Sequence, residues 1–331
     1  MIFLIKPMKK VVTIGGGTGS YTVLRGLKHF DDILISAIVS MADDGGSTGA
    51  LRDELGVLPP GDVRQCLVAL SLHDEVVRKL MKYRFEEGSL KGHNFGNILL
   101  AGLEKTAGSF VKGIEIASDI LKIKGRVIPV TEDVANLLVV LKDGTELLGQ
   151  NNINHSDIQS VGVKEVLFQG AVEINELAKK AIIEADLIVL GPGNFYCSLM
   201  PNFIVDGFKE AIEESKAKLV VPVNLTNKKG HTLFFNASDY VREIENMIGK
   251  KVDYVICNNE TPSDEQIDMY KVKEGDGVLV TNDMADDKRV ILAPVLSHEI
   301  FTASDYDSVA NARSFIRHDS KKLAEALHNL I

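Results

Sequence analysis

The 331-residue chain has no tryptophan, only three cysteines and nine prolines, and aromatic residues make up just 6% of it. Cys66, Cys197 and Cys257 are odd in number and far apart. No C-x-x-C pair or zinc-type Cys/His spacing exists, so a disulfide framework is excluded and a reduced, cytoplasmic setting is expected. Long hydrophobic runs are also missing. The opening MIFLIKPMKK is apolar only from Ile2 to Ile5, too short for a signal-peptide core or a membrane span, and Met8 is a second candidate start. Positive charge is in deficit, with 37 Lys and Arg against 46 Asp and Glu and a net charge of −9. That balance argues against a nucleic-acid partner, which requires a basic face, and leaves room only for a local basic patch beside a phosphate. Finally, no G-x-S-x-G elbow, H-E-x-x-H or Ser-x-x-Lys motif is present. Hydrolase triads and zinc chemistry therefore have no support.

What the chain does contain is an alternation of short apolar runs and helical periodicity. With 45% hydrophobic and 25% charged residues it has a globular composition. Strands are predicted at Val11–Ile14, Ile33–Val39, Leu187–Leu190, Leu219–Val223, Val252–Cys257 and Val290–Ala293, apolar almost throughout, as strands covered on both faces are. Helices are predicted at Gly19–Lys28, Asp62–Ser71, Asp74–Lys82, Phe95–Thr106, Val111–Leu121, Ile174–Ala185, Pro201–Ser215, Ser238–Ile248 and Ser320–Leu330. This pattern predicts an α/β fold, a mostly parallel sheet with helices on both faces. Residues 125–170 break the rhythm: VIPVT, ANLLVVL and ELLGQ surround Asp143-Gly144, a hairpin signal. We therefore expect an N-terminal extension over residues 1–9 and one domain over 10–331 with a small β-rich insertion.

Polar, glycine-bearing loops recur where these strands should end. In GGGTG, Gly15, Gly16 and Gly17 allow a tight turn, Gly19 lets the helix start approach a ligand, and Thr18 and Ser20 add hydroxyls. An anion is the expected guest, although no lysine follows as in a P-loop, and Ser20 stands where the dinucleotide fingerprint needs its last glycine. In ADDGGSTG, Asp43 reads as a ribose acceptor or, with Asp44 and Asp62, as a ligand of a hard divalent cation such as Mg²⁺. Asp62 reads equally as a helix N-cap. In GHNFGN, Asn94 and Asn97 read as ligand-contacting amides, while His93, His73 and His155 read as structural. In LGPGNFYCSL, Gly191 and Gly193 shape a loop, and Asn194 and Ser198 can bond a ligand. Cys197 has no basic neighbour in sequence to activate it. After the next strand come Asn224, Thr226 and Lys228-Lys229.

IGGGTGSYTVLRGLK, ADDGGSTGALRDELGVLPPGDVRQCLVAL, GHNFGNILLAGLE and GPGNFYCSLMPN together resemble the bacterial gluconeogenesis factor family, related to the 2-phospho-L-lactate transferases. The resemblance runs from about Lys10 into IRHDSKKLA. It implies a Rossmann-like doubly wound fold that binds a UDP-sugar, UDP-N-acetylglucosamine or UDP-glucose, and supports cell-wall synthesis and cell shape on gluconeogenic carbon sources without turnover. By the same resemblance Gly16, Gly17, Thr18, Gly19, Asp43, Asp44, Asn94, Asn97, Gly191, Gly193, Asn194, Tyr270 and Arg317 contact the ligand. Ser320 is either the phosphoacceptor of a Ser/Thr kinase or a helix N-cap, and a homo-oligomer is an open alternative. The transferase alternative, a Mg²⁺-dependent phosphotransferase, is weakened because LPPGDVRQC and KGHNFGN stand where that branch carries acidic elements. An NAD-binding oxidoreductase is the third alternative, disfavoured by the missing glycine.

Overall fold

The computed structural model describes residues 8–299 and 316–331. Most of the expected N-terminal extension lies outside the described residues. Seven strands form one parallel sheet: β1 (Lys9–Gly15), β2 (Ile33–Val39), β3 (Arg126–Pro129), β7 (Leu187–Leu190), β8 (Lys218–Pro222), β9 (Tyr254–Asn258) and β10 (Val290–Ala293). A second, antiparallel sheet holds β4 (Leu137–Leu141), β5 (Glu146–Leu148) and β6 (Val163–Phe168). The large sheet has the order β10-β9-β8-β7-β1-β2-β3. The chain thus winds outward from β1 through β2 to β3, then returns to the other side of β1 and winds outward again. This is a doubly wound α/β fold, as the apolar runs imply.

Burial explains why these runs become central strands. Leu187, Ile188, Val189 and Leu190 are all at 0% exposure, and Val11, Val12 and Ile14 are at 2% or less. Each such side chain stabilises the fold by about 1.5–3 kcal/mol relative to exposure. Helices α1 (Gly17–Leu27), α2 (Gly46–Leu55), α3 (Pro60–Leu70), α4 (Glu75–Lys82), α5 (Phe95–Ala107) and α6 (Phe110–Leu121) follow the first two strands. α1 packs between α3 and the C-terminal helix Ser320–His328. Among the described residues no helix is long and apolar enough to cross a membrane.

Several expectations change. The VIPVT segment does not open the insertion: β3 pairs in parallel with β2 and forms the sheet's edge. The insertion proper is the β5-β4-β6 sheet with a short helix, Gln150–His155. Its β4 alternates buried and half-buried residues, the mark of a one-sided strand. Gly46–Thr48 is no loop but the first turn of α2. The single helix predicted over 201–215 is broken into Met200–Phe203, which continues a π-helical turn (Phe195–Leu199), and Phe208–Glu214, because Gly207 takes a left-handed φ of 86°. Asp62 is not an N-cap, since Pro59 occupies that position of α3. Ser320 is not one either. Asp319 caps the last helix, its carboxylate accepting from the Lys321 and Lys322 amides at 2.9 Å.

Candidate functional site

The winding reverses between β1 and β7, and there two glycine turns face each other. After β1 the chain runs through Gly15, Gly16 and Gly17 into α1; after β7 it runs through Gly191, Pro192 and Gly193 into the π-turn. The Gly191 amide donates to the Ile14 carbonyl at 2.9 Å, which locks the start of the second turn against β1. Gly19 has a packing role: a Cβ there would overlap the Pro192 carbonyl oxygen. Ser198 and Asp62 crowd the space above Gly16, and Asp62 and Gln65 crowd that above Gly17. Thr18 is exposed, and its hydroxyl donates to Gln65 Oε1 at 3.1 Å.

The floor of this crevice is acidic. Asp62 accepts a hydrogen bond from the Gly17 amide, so its carboxyl sits where α1 would otherwise offer an anion seat. Asp43 lies close by, its Oδ1 accepting from Gly45 N at 3.1 Å. Gly61 makes this approach feasible, because any Cβ there would meet Asp43 Oδ2 at 2.7 Å. Both carboxyls keep some open surface, but dense surroundings dominate. Burial raises Asp43, and burial followed by the Asp43 charge pushes Asp62 up to about 7. Each carboxyl therefore holds its proton to a higher pH than a free aspartate does. The Arg64 guanidinium opposes both shifts.

Asp44 does not complete a three-carboxylate metal set. Its Oδ1 accepts from Asn151 N of the insertion at 2.7 Å. Among the described residues no three His, Cys, Asp or Glu side chains are gathered to hold a metal ion. What remains is a pair, Asp43 and Asp62. That fits a Mg²⁺ held by one or two carboxylates together with ligand phosphates.

Asn94 and Asn97 are 2% and 3% exposed and already committed to protein partners. Asn94 caps α5 by accepting from Asn97 N at 3.2 Å and donates to the Lys82 carbonyl at 2.9 Å. Asn97 Oδ1 accepts from Arg64 Nε at 2.8 Å, and its amide reaches the Ser47 and Thr48 hydroxyls at 3.4 Å. Asn97 thus positions Arg64 and the α2 start, while Asn94 caps α5 and ties it to the end of α4. Asn194 caps the π-turn, accepting from Cys197 N at 3.3 Å. Cys197 itself is pushed up to about 12 by burial and stays a thiol.

A second cavity of about 250 Å³ opens beyond β8 and β9, lined by Asn224, Cys257, Asn258, Thr281, Asn282 and Ile316 among others. Tyr270 packs with Leu296 and Ile316 behind its wall, and its hydroxyl accepts from Thr226 Oγ1 at 2.9 Å. Arg317 follows Ile316, with its carbonyl held by Ser297 N at 2.8 Å. Tyr270 and Arg317 therefore belong with this cavity, whereas the glycine loops and Asp43 belong with the crevice. Asn224 joins the two parts: its side chain exchanges hydrogen bonds with Gly193 N (3.0 Å) and Gly193 O (2.8 Å).

The insertion helix closes the crevice from above. Gln150 donates to the Cys197 carbonyl at 3.2 Å, and Asn154 Oδ1 accepts from Asn194 Nδ2 at 2.9 Å. Sequence reasoning missed this helix as part of the site. The QNNIN run of amides was the available signal, and its partners lie 47 and 40 residues away in sequence.

Fold and site together define a doubly wound α/β protein with a lined crevice at its point of reversal. The chain belongs to the 2-phospho-L-lactate transferase CofD family, whose model matches residues 11–298, and its curated relatives are gluconeogenesis factors. A Thermotoga maritima relative is 42% identical over 321 residues, covering 97% of this chain and 99% of the relative. The gluconeogenesis factor of Halalkalibacterium halodurans is 38% identical over 323 residues, covering 96% and 95%. A crystal structure from Bacillus halodurans superimposes with a TM-score of 0.85 at 35% identity, covering 97% of this chain and 99% of that one.

Proposed function

We propose that this gluconeogenesis factor relative binds a UDP-sugar, UDP-N-acetylglucosamine or UDP-glucose, in the cytoplasm. In this reading it supports cell-wall synthesis and cell shape without turning the ligand over. The observation that carries the reading is the juxtaposition of two glycine turns at the β1/β7 reversal, continued through Asn224 into the 250 Å³ cavity. Ligands of open α/β sheets sit at this kind of switch point. The crevice suits a diphosphate, and the polar cavity, with Tyr270 packed behind its wall and Arg317 next in sequence to the lining Ile316, suits the nucleoside or sugar. Three unbridged, buried cysteines agree with a reducing compartment.

Titration calorimetry with UDP-N-acetylglucosamine and UDP-glucose tests the proposal. Saturable binding is expected, weakened about tenfold by Arg317→Ala, roughly the worth of one charge-assisted hydrogen bond. Absence of heat with every uridine nucleotide-sugar would overturn it. The Asp43–Asp62 pair supports a second reading, Mg²⁺-dependent phosphotransfer. That reading requires release of a nucleoside phosphate when metal and a hydroxyl acceptor are supplied together, and it fails if none is released.

A further inference from the structure

The binding site needs a fixed positive charge that its glycine loop does not supply. No lysine follows GGGTG, and the amide end of α1 already faces the Asp62 carboxyl. Asp43 and Asp44 add further negative charge on the same rim. A phosphate entering here is repelled unless a cation faces it.

Lys228, on the loop after β8, is placed to be that cation. Its Nζ donates at 2.5 Å to both the side-chain and main-chain oxygens of Asn154. Asn154 Oδ1 also accepts from Asn194, the residue that ends the Gly191–Gly193 turn. The Lys228 loop is tied to that turn a second time through Asn224 and Gly193. Lys228 Nζ and Asn194 Nδ2 thus meet on the same Asn154 oxygen, which places the ammonium beside the Gly191–Gly193 turn. These two contacts of Lys228 are to the neutral oxygens of Asn154. A phosphate oxygen replacing Asn154 Oδ1 would keep the hydrogen-bond geometry and add charge-assisted strength.

Resting on the diphosphate-ligand reading above, we infer that Lys228 is the residue that grips a phosphate of the bound nucleotide, doing from the β8 loop what a P-loop lysine does from β1. The contact with Asn154 Oδ1 is the one a phosphate oxygen replaces on binding. Lys228 would then discriminate between phosphorylated and unphosphorylated ligands, while Asn154 would serve only to hold the insertion helix in place.

The test compares wild type, Lys228→Gln, Lys228→Arg and Asn154→Ala by calorimetry with UDP-N-acetylglucosamine, inorganic pyrophosphate and uridine, at two salt concentrations. Lys228→Gln can still hydrogen-bond Asn154, so circular dichroism and melting should match wild type. Its affinity for the two diphosphates should drop about 10- to 100-fold, with a shallower salt dependence and no change for uridine. Lys228→Arg should stay within about fivefold because it keeps the cation, whereas any loss in Asn154→Ala, which loosens the crevice cover, should be smaller than in Lys228→Gln and fall equally on uridine and the diphosphates. Equal losses in Lys228→Gln and Asn154→Ala would show that the pair only braces the insertion, and would overturn the inference, as would unchanged diphosphate affinity in Lys228→Gln. Wild type binding pyrophosphate but no UDP-sugar would sink the nucleotide-sugar reading while leaving Lys228 testable on pyrophosphate. Binding of neither would sink both.

Discussion

At the scale of single residues the most consequential group is Asp62. In an unfolded chain an aspartate titrates near 3.8, and in the fold Asp62 is pushed up to about 7 by burial and by Asp43. Between those values the folded state holds the proton more tightly than the unfolded one. Stability therefore falls as pH rises from about 4 to about 7 and then levels off. Asp62→Asn keeps an acceptor for the Gly17 amide but removes the ionisation. At pH 8 the variant should be more stable than wild type by about 2–4 kcal/mol, the free-energy equivalent of two to three pH units, with the gap closing near pH 4. Thermal melts in the presence of a chelator at pH 4.5 and 8 would read this directly. Parallel pH profiles for the two proteins would show that the fold does not raise Asp62 in this way. His231 follows the opposite logic, since burial lowers it to about 4 and leaves a neutral imidazole whose Nε2 pairs with the Ile153 carbonyl at 3.0 Å.

Elements were legible in the sequence where burial on both faces wrote an apolar run. β2, β7 and β10 fall on the predicted residues, and β1, β8 and β9 shift by only one or two at each end. α2 was invisible because Gly46-Ser47-Thr48-Gly49 has poor helix propensity. Gly49 is required for close approach instead, a Cβ there overlapping the Asp44 carbonyl oxygen. The helix Asp264–Glu274 was missed despite a readable capping box, Ser263 with Gln266. In the site, the glycine turns and the Asp43 loop were visible because each is local. The pairing of Lys228 with Asn154 was not, since 74 residues separate them and only the fold brings them together. Element packing gives its own prediction. α1 crosses the C-terminal helix at Gly26, where a Cβ would overlap the Ser320 carbonyl oxygen, whereas a Cβ at Gly102 in α5 meets nothing within 4 Å. Gly26→Ala should destabilise by about 2–4 kcal/mol, slightly beyond the usual overpacking cost because rigid backbone is struck. Gly102→Ala should stabilise by up to about 1 kcal/mol. Denaturant titration of both variants checks the contrast, and equal effects would refute the packing assignment.

For the whole molecule, the decisive feature is the central place of β1. It is paired on one side with β2, which follows directly, and on the other with β7, which is made about 170 residues later. A fragment ending at residue 186 should therefore carry three strands of the large sheet, the whole insertion sheet and most of the helices, yet bind no nucleotide and sediment as aggregate in ultracentrifugation. A soluble, binding-competent fragment would show that the β1/β7 reversal is not the site. During synthesis the same geometry imposes a waiting period. At about 5–20 residues per second, the growing chain spends roughly 10–35 s with one apolar edge of β1 unpaired. Unpaired edges of this kind recruit other chains. The ribosome-bound half-protein is accordingly a client for chaperones, and codon choice between residues 130 and 187 becomes a determinant of yield.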